Sequence, residues 1–421
     1  MLRIIRIHSI FSTFVLKKTN ALKALIILLV FATLSSCAPK PPKGNEQETS
    51  IKLGCELTSE YLPLLKEKRV GIVANHSTVI NQTHLVDSLL KLDINVVKIF
   101  SPEHGFRGQD DAGELVTNHT DSLTGLPIVS LYGANKKPSH ADFKDIDIVI
   151  FDMQDVGVRI YTYISTMHYV METCAETGTP LIVLDRPNPN GFYVDGPMLD
   201  TNYRSFVGMH PVPLVHGMTI GEFAQMINGE GWLLGALSCE LRVVACKNYT
   251  HDSTYVLPTR PSPNLPNQTA VYLYPSLGFF EGTAISVGRG TDYPFQIYGH
   301  PSLTAMEYKF TPVSTPGASK TPPYQDQLCF GVDLRDYSAH YFTELRQINL
   351  SWLMYAYQSF PSKSKFFNSY FNTLAGSKQL RTSLENGDSE QKIKKAWQSD
   401  IDEFMPIRKK YLIYPDFQPI E

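Results

Sequence analysis

The sequence predicts an α/β fold, with a Rossmann-like N-terminal domain whose sheet is mostly parallel and a smaller C-terminal α+β domain. Between residues 51 and 235, short apolar runs alternate with segments of helical periodicity, as in a parallel sheet with crossover helices. From residue 236 to 421, short strand-like runs are separated by loops rich in Pro and Gly. At 421 residues, 43% of them hydrophobic, the chain is long enough for two cores. We expect the active site to lie in the cleft between the two domains.

Residues 1–37 are predicted to be a lipoprotein signal peptide, and residues 38–50 a flexible tether. The apolar stretch 24–34 follows lysines and is too short to span a membrane comfortably. It ends at Leu34-Ser35-Ser36-Cys37, which resembles the lipobox at which bacterial lipoproteins are cleaved and lipidated. We therefore expect an exported protein, lipid-anchored through Cys37 to a bacterial membrane and facing the periplasm. The alternative is an ordinary secretory signal in which the cysteine is coincidental.

The composition argues against several classes of ligand. The formal net charge is −3 and no block of lysine and arginine occurs, so nucleic acid is not an expected partner. Cysteines other than Cys37 are odd in number and lack C-x-x-C spacing, which indicates neither a disulfide framework nor a zinc site. They are Cys55, Cys174, Cys239, Cys246 and Cys329. We expect no metal and no cofactor.

Four candidate strands end in polar residues that could carry chemistry. The apolar runs are 70–74, 95–100, 146–151 and 181–184. They lead into Asn75-His76-Ser77, Ser101-Pro102-Glu103-His104-Gly105, Asp152-Met153-Gln154-Asp155 and Asp185-Arg186-Pro187-Asn188-Pro189. Ligands of open α/β sheets bind beyond the carboxyl ends of the strands. The pattern therefore predicts an active site at this edge of the sheet.

Helical periodicity predicts the connections between these strands. Apolar residues recur at helical spacing from Tyr161 to about Thr177. A further strand, Val212 to Val215, is expected to lead into a helix that begins near Thr219. Thr219-Ile220-Gly221-Glu222 has the pattern of a capping box, which explains Glu222 without any chemistry.

The C-terminal domain is predicted to contain short strands, a long loop and a terminal helix. The strands are expected at 241–244, 278–280, 295–297 and 329–332, and the loop at 311–323. The helix is expected from about Glu390 to Leu412, with Ser389 as its N-cap. Pro406 predicts a kink or a break in this helix.

Familiar catalytic motifs do not occur in the sequence. There is no G-x-S-x-G, H-E-x-x-H, Walker A or G-x-G-x-x-G pattern, which disfavours common serine hydrolases, zincins and nucleotide-dependent enzymes. The remaining candidates for catalysis are carboxylate side chains that have polar neighbours in the sequence. Hydrolysis of a glycosidic bond needs an acid to protonate the leaving oxygen and a carboxylate to stabilise or attack the anomeric carbon.

Glu103 is the first candidate for the acid, because it follows a strand and precedes glycines that let a ligand approach. Asp155 and Glu281 are the other candidate carboxylates. Two of them have a specific structural alternative: Glu103 could cap a backbone turn, and Asp155 could pair with Arg159, four residues away.

Arginines beside the candidate site segments point to an anionic ligand, because a guanidinium binds a carboxylate bidentately. They are Arg159, Arg186, Arg260 and Arg289. At least one is expected to clamp a loop carbonyl or an aspartate instead. Gly288-Arg289-Gly290-Thr291 is interpreted as a tight loop that presents Arg289. His216 could bind a ligand or satisfy a backbone group.

Distinctive segments occur in order along the chain: FSPEHGFRG (100–108), SLYG (130–133), FDMQDVG (151–157), RIYTY (159–163), LDRPNP (184–189), HGMTIGE (216–222), PSPN (261–264), EGT (281–283) and GRGT (288–291). Together they resemble the exo-β-N-acetylmuramidases, a family long catalogued only as a domain of unknown function. The resemblance covers about residues 51 to 415.

This resemblance implies an exo-acting glycosidase that removes N-acetylmuramic acid from the non-reducing end of peptidoglycan fragments. The lactyl carboxylate of that sugar suits a pocket lined by arginines. The expected catalytic residues are Glu103, Asp155 and Glu281, with their individual roles left open. The residues expected to bind the substrate are His104, Arg159, Tyr161, Arg186, Asn188, His216, Asn264 and Arg289.

Two other functions compete with this hypothesis. A non-catalytic glycan-binding lipoprotein would use the same cleft, aromatics and arginines, but it has no use for a pair of carboxylates. An esterase or amidase acting on cell-wall fragments is weakened by the lack of a recognisable nucleophile.

Overall fold

The computed structural model describes residues 50–103, 105–107, 119–337 and 339–418. The strands are β1 (Val70–Ala74), β2 (Val79–Ile80), β3 (Thr83–His84), β4 (Val96–Ser101), β5 (His119–Thr120), β6 (Pro127–Ser130), β7 (Ile148–Asp152), β8 (Leu181–Leu184), β9 (Leu241–Val244), β10 (Ile297–His300), β11 (Tyr308–Phe310) and β12 (Cys329–Asp333). The α-helices are α1 (Thr58–Leu65), α2 (Leu85–Lys91), α3 (His140–Phe143), α4 (Tyr163–Thr177), α5 (Ile220–Gly229), α6 (Gln268–Leu277), α7 (Ala339–Leu345), α8 (Ser351–Ser359), α9 (Phe371–Ala375), α10 (Gln379–Glu385) and α11 (Glu390–Lys409).

The main sheet has seven strands in the order β5-β6-β4-β1-β7-β8-β9. Every neighbouring pair is parallel except β5 with β6. The six parallel strands therefore follow the 3-2-1-4-5-6 order of doubly wound Rossmann folds. The predicted α/β fold with a mostly parallel, Rossmann-like sheet is confirmed.

The strands are apolar on both faces because helices cover both sides of the sheet. In β7, Val149 and Phe151 pack in a cluster with residues of α4 and α5. The alternate residues Ile148 and Ile150 pack in a second cluster with residues of α1 and α2. Since side chains of a strand point to opposite faces in turn, such a strand reads as a continuous hydrophobic run.

The strand order reverses at β1. From β1 the chain builds β4 and β6 on one side, and then returns to build β7, β8 and β9 on the other side. The loops that leave the carboxyl ends of the neighbouring strands β1 and β7 therefore diverge at this point. A crevice of this kind is the usual ligand site of an open α/β sheet.

Three predicted helices are confirmed. Helix α4 ends at Gly178, whose φ of 68° forms a left-handed cap. Helix α5 has Thr219 as its N-cap, and both hydrogen bonds of the capping box with Glu222 are present. Helix α11 has Ser389 as its N-cap.

Of the kink or break predicted at Pro406, the break does not occur, since α11 continues through this residue to Lys409. Phe404 and Arg408, on either side of the proline, are buried. Their packing holds the last turns in place although Pro406 has no N–H to donate.

The segment beyond residue 236 departs from the predicted strands at several places. Residues 241–244 form β9 of the main sheet, paired with β8. Residues 278–280 lie in a 3-10 helix, Gly278–Gly282, rather than in a strand. Strands β10, β12 and β11 form a separate antiparallel sheet, which confirms the strand predicted at 329–332 and shifts the one predicted at 295–297 to 297–300.

Residues 212–215 were also predicted to be a strand. They form only isolated bridges, in which Val215 faces Val158 and Asp195. In the part of the chain that the structure describes, no helix is long and apolar enough to cross a membrane.

Candidate active site

A cavity of about 500 Å³ is lined by the loops that follow β4, β6 and β7, by residues 205–207 and by residues from 262 onward. This volume is within the usual range for small-molecule sites. The polar and aromatic residues of its wall are Glu103, Tyr132, Lys136, Tyr161, Thr162, Tyr163, Ser205, Phe206, Ser262, Asn264, Tyr274, Glu281, Arg289, Phe295 and Tyr370. Five residues predicted for the site are among them: Glu103, Tyr161, Asn264, Glu281 and Arg289.

Glu103 lies two residues beyond β4, the neighbour of β1, at the edge of the sheet where the parallel strands have their carboxyl ends. The chain turns at once, because Gly105 has a φ of 71° and donates its N–H to the carbonyl oxygen of Pro102 at 3.2 Å. The Glu103 carboxylate accepts a hydrogen bond from the Tyr132 hydroxyl, and Tyr132 comes from the loop after β6. Burial and the charge of Glu103 together raise the pKa of Tyr132, so the phenol stays a donor.

Glu281 forms an ion pair with Arg289 in the wall of the cavity. Nε and Nη2 of Arg289 donate to Oε1 of Glu281 at 3.0 and 2.7 Å. Arg289 sits between Gly288 and Gly290, whose φ values of 77° and 81° require glycine. Burial alone would lower the pKa of Arg289, but the charge of Glu281 and its hydrogen bond outweigh this and raise it.

Glu103 and Glu281 act on the same side chains. Burial raises the pKa of Tyr370 to about 12, with further contributions from the charges of Glu281 and Glu103. Burial and the same two charges also raise the pKa of Tyr274, against the opposing charge of Arg289. The two carboxylates, 178 residues apart in the sequence by subtraction of their numbers, therefore face one space.

Asn264 offers the cavity a buried acceptor. Its Nδ2 donates to the carbonyl oxygen of Ala318 at 2.8 Å, and its N–H donates to Ser262 Oγ. Its Oδ1 is buried and has no hydrogen-bond partner among the described residues. A buried polar atom of this kind is costly unless a ligand or water satisfies it.

Tyr161 and Tyr163 form another part of the wall. The Tyr161 hydroxyl donates to the carbonyl oxygen of Pro261 at 2.7 Å, and Asn75 Nδ2 donates to the Tyr163 hydroxyl at 2.6 Å. The two rings meet edge to face, with their centroids 4.7 Å apart. This arrangement connects the loop after β1 to the segment that carries Asn264.

Asp155 does not line the cavity. Its Oδ2 accepts the Gly157 N–H at 2.7 Å, whereas Oδ1 is buried without a partner in the described part of the chain. Burial raises the pKa of this carboxyl to about 7, although the N–H groups of Gly157 and Val156 oppose the shift. Its charge acts on Tyr161 and Tyr163 at the cavity wall.

Arg159 is fully buried, donates to backbone carbonyls and does not line the cavity. Nη1 donates to Pro197 and Val212 at 2.6 and 2.8 Å, and Nη2 donates to Leu374 and Ala375 at 3.2 and 3.0 Å. The predicted role in substrate binding is therefore not supported, because four backbone carbonyls in three separate segments accept its hydrogen bonds.

Arg186 is also used inside the protein. Its Nε and Nη2 donate to the two oxygens of Asp152, at the end of β7, at 2.5 and 2.9 Å. Both side chains are buried. Arg186 is thus one of the aspartate clamps that the sequence led us to expect, and the structure does not bring it into the cavity.

Asn188 and His216 are buried, and both of their side chains bind the backbone of Met218. Asn188 Nδ2 donates to the Met218 carbonyl at 2.9 Å, and Oδ1 accepts the Asn190 N–H at 2.8 Å. His216 Nδ1 accepts the Met218 N–H at 3.3 Å. Burial lowers the pKa of His216 to about 3, so its ring is neutral at pH 7. Neither side chain lines the cavity.

Two predicted residues, His104 and Cys37, lie outside the described residues. Arg260, which sequence reasoning placed beside the site, is exposed, and its carbonyl accepts a hydrogen bond from His76 Nε2 at 2.8 Å. Within residues 50–103, 105–107, 119–337 and 339–418, no group of three or more His, Cys, Asp or Glu side chains is arranged to hold a metal ion.

Several cavity residues were not predicted. Tyr132 follows β6, so the strand-end rule that found Glu103 could have found it as well. Lys136, Phe206 and Tyr370 lie in irregular segments far apart in sequence, and no local pattern marks them. The contact between Lys136 and the Phe206 ring, and the position of Tyr370 near the two carboxylates, are produced by the tertiary fold and leave no signal in the local sequence.

A loop of the Rossmann-like sheet carries Glu103, and the 3-10 helix Gly278–Gly282 carries Glu281, to one aromatic-walled cavity. Two carboxylates in such a cavity define a class, the α/β glycoside hydrolases, because glycosidic hydrolysis needs this pair of groups. Comparison with known proteins gives the family. Models described as the N-terminal and C-terminal parts of exo-beta-N-acetylmuramidase NamZ match residues 70–269 and 272–414. The chain belongs to the exo-β-N-acetylmuramidase NamZ family.

Individual relatives agree with this assignment. The peptidoglycan beta-N-acetylmuramidase NamZ of Bacillus subtilis (strain 168) is 39% identical over 410 residues, which covers 92% of this chain and 97% of the relative. A crystal structure of a DUF1343 family protein from Bacteroides fragilis NCTC 9343 is similar with a TM-score of 0.81 and 49% identity, covering 87% of this chain and 99% of that one. A crystal structure of a second DUF1343 family protein from the same strain is similar with a TM-score of 0.73 and 30% identity. The match covers 86% of this chain and 99% of that one.

Proposed function

We propose that this protein is an exo-acting glycoside hydrolase that releases terminal β-linked N-acetylmuramic acid from the non-reducing end of peptidoglycan fragments. Membership of the NamZ family supports the activity and the substrate class. The observation that assigns the activity to particular residues is that Glu103 and Glu281 line one cavity. The charges of both carboxylates contribute to the raised pKa values of Tyr274 and Tyr370. The cavity takes its wall both from the sheet loops and from residues beyond 262, which supports an active site in a cleft between two domains.

Glu103 and Glu281 have different surroundings, which suggests different roles. Arg289 donates two hydrogen bonds to Glu281 Oε1, an arrangement that suits a carboxylate that stabilises or attacks the anomeric carbon. Glu103 has a phenol as its neighbour and is assigned as the acid that protonates the leaving oxygen. The unpartnered Oδ1 of Asn264 accepts a hydrogen bond from a hydroxyl or amide group of the bound sugar.

The test is release of the chromophore from a chromogenic β-N-acetylmuramide, with the corresponding β-N-acetylglucosaminide as control substrate. Wild type should cleave the muramide. Glu103→Gln keeps the shape of the side chain but removes the acid, so kcat should fall about 10²- to 10⁴-fold. The matched variant Glu385→Gln, at an exposed residue outside the cavity wall, should keep full activity.

Two outcomes would count against the proposal. If wild type binds the muramide without cleaving it, the protein is a glycan-binding protein. If Glu103→Gln retains wild-type kcat while Glu281→Gln loses it, the acid is not Glu103.

We also propose that the protein is exported and anchored through a lipid on Cys37 to a bacterial membrane, facing the periplasm. The support is the sequence Leu34-Ser35-Ser36-Cys37 after a short apolar stretch. Expressed in a bacterium fed an alkyne-labelled fatty acid, the chain should carry the label and sediment with membranes. Cys37→Ala should abolish both, and Ser36→Ala should change neither. Labelling that survives Cys37→Ala would contradict the anchor.

A further inference from the structure

N-acetylmuramic acid differs from N-acetylglucosamine by a lactyl ether that carries a carboxylate. An enzyme that selects the muramic sugar therefore gains from a cation placed where this carboxylate lies. Sequence reasoning assigned that role to arginines, but the buried Arg159 and Arg186 bind backbone carbonyls and Asp152. In the described part of the chain, the cations in the cavity wall are Arg289 and Lys136.

Arg289 already has a charged partner. Two of its N–H groups donate to Oε1 of Glu281, and its guanidinium lies 5.1 Å from the centre of the Phe295 ring. A substrate carboxylate placed here would compete with Glu281, and like charges at such a site repel each other. Arg289 is therefore better suited to hold Glu281 than to select the sugar.

Lys136 differs in its surroundings. It lies in the loop after β6, with Tyr132 and Gly133, and is half-buried in the cavity wall. Its ammonium group forms no ion pair with any residue that the structure describes. The adjacent Lys137 is different, since it pairs with Glu172 at 3.0 Å and Glu176 at 2.7 Å and does not line the cavity.

An aromatic ring holds the Lys136 ammonium in position. Nζ lies 4.7 Å from the centre of the Phe206 ring. Phe206 is at the tip of a turn closed by two backbone hydrogen bonds between Ser205 and Gly208, at 2.9 and 3.1 Å. Its ring also stacks on Tyr169, with centroids 6.2 Å apart and an interplanar angle of 10°.

A cation over an aromatic face is attracted to the ring but keeps its charge and its N–H donors. The Phe206 ring therefore limits where Nζ can go without neutralising it. Such a side chain is ready to bind an anion with little loss of conformational freedom on binding.

We propose that Lys136, positioned by Phe206, binds the lactyl carboxylate and selects N-acetylmuramic acid over N-acetylglucosamine. This inference rests on the proposed function, because it names the residue that recognises the acidic part of the proposed substrate. It assigns Lys136 to binding and gives it no part in bond cleavage.

The test compares two chromogenic substrates, the β-N-acetylmuramide and its lactyl carboxamide, which has nearly the same shape but no charge. In Lys136→Met, KM for the acid should rise about 10- to 100-fold, the range of a lost charge-assisted hydrogen bond, with kcat largely kept. KM for the carboxamide should stay close to that of wild type. Lys136→Arg should recover part of the loss, and the matched control Lys137→Met should behave as wild type on both substrates.

The outcomes separate this inference from the proposed function. If wild type cleaves the acid and the carboxamide equally well, or if Lys136→Met affects both substrates equally, the inference is wrong while the hydrolase remains. If wild type cleaves neither substrate, the hydrolase is wrong, and calorimetric binding of N-acetylmuramic acid and N-acetylglucosamine still decides the inference. Binding that is selective for the acid in wild type but not in Lys136→Met supports it, and equal or absent selectivity in both overturns it.

Discussion

Asp155 carries a buried carboxyl group that has no ion-pair partner among the described residues. Oδ2 accepts the Gly157 N–H and Oδ1 is unpartnered within the described residues. Burial raises the pKa to about 7, from an ordinary value of 3.8. Below pH 4 the carboxyl is protonated both in the folded and in the unfolded chain. Between about pH 4 and 7 the folded protein holds more protons than the unfolded chain does, so its stability falls as the pH rises through this range.

We expect Asp155→Asn to remove this pH dependence, because an amide stays neutral and its oxygen can still accept the Gly157 N–H. Relative to wild type, the free energy of unfolding of the variant should rise between pH 4 and pH 7. One pKa unit corresponds to about 1.4 kcal/mol and the pKa is raised by about three units, so the gain should reach about 4 kcal/mol at pH 7. Urea unfolding of both proteins at a series of pH values measures it.

Asp145→Asn serves as the control for this measurement, since the Asp145 side chain is 71% exposed. It should follow wild type at every pH. A constant difference between Asp155→Asn and wild type from pH 4 to 8 would show that the Asp155 pKa is not raised. Loss of kcat in Asp155→Asn with stability intact would instead support the catalytic role predicted from the sequence.

At the scale of residues, the sequence predicted that these polar side chains cluster but not what each of them binds. Glu103 was found because it follows a strand and precedes glycines, and Glu281 because it could face Glu103 from the second domain. Arg159 and Arg186 were chosen because they lie in loops beside the same site segments, yet they bind carbonyls and Asp152. Whether a buried guanidinium meets the backbone or a ligand depends on contacts with residues remote in sequence, which no local pattern contains.

At the scale of elements, prediction succeeded where one local rule decided the structure. Runs buried on both faces gave β1, β4, β7 and β8, and the capping box placed the start of α5. In α5 the box also has a tertiary use, since Glu222 Oε1 accepts the Ile413 N–H at 2.8 Å. This contact ties the chain beyond α11 to the helix, and it explains Glu222 without catalysis.

Elements were predicted wrongly where packing outweighs local preference. Gly278-Phe279-Phe280 is apolar enough for a strand, but it continues from α6 as a 3-10 helix with both Phe rings buried. Pro406 should interrupt a helix, but the buried residues around it keep α11 intact.

The pairing of strands was not predictable in the same way. Residues 241–244 were correctly predicted to be a strand, but their pairing with β8 could not be foreseen, because strand order is not a property of local sequence.

At the scale of the whole molecule, the cavity depends on joining distant parts of the chain. Arg159 holds the backbone at Pro197 and Val212, on either side of the turn that carries Phe206. It also holds the carbonyls of Leu374 and Ala375, at the end of the helix that Tyr370 caps. The fold leaves space for this side chain, since a Cβ at Gly376 would lie 2.8 Å from Arg159 Nη2. Arg159 therefore fixes two walls of the cavity without touching its interior.

We expect Arg159→Met, which has a similar length but no hydrogen-bond donors, to lower the free energy of unfolding by about 3 kcal/mol or more, because buried carbonyls lose their partners. Arg159→Lys should recover part of this loss. Urea unfolding at pH 7 measures all three proteins, with Arg242→Met as the control. Arg242 is exposed, and within the described part of the chain its side chain donates only to the Glu60 carbonyl, at 3.4 Å. Its loss should therefore change stability by about 0.5 kcal/mol or less. Equal stability of the Arg159→Met and Arg242→Met proteins would mean that the two walls are held by other contacts.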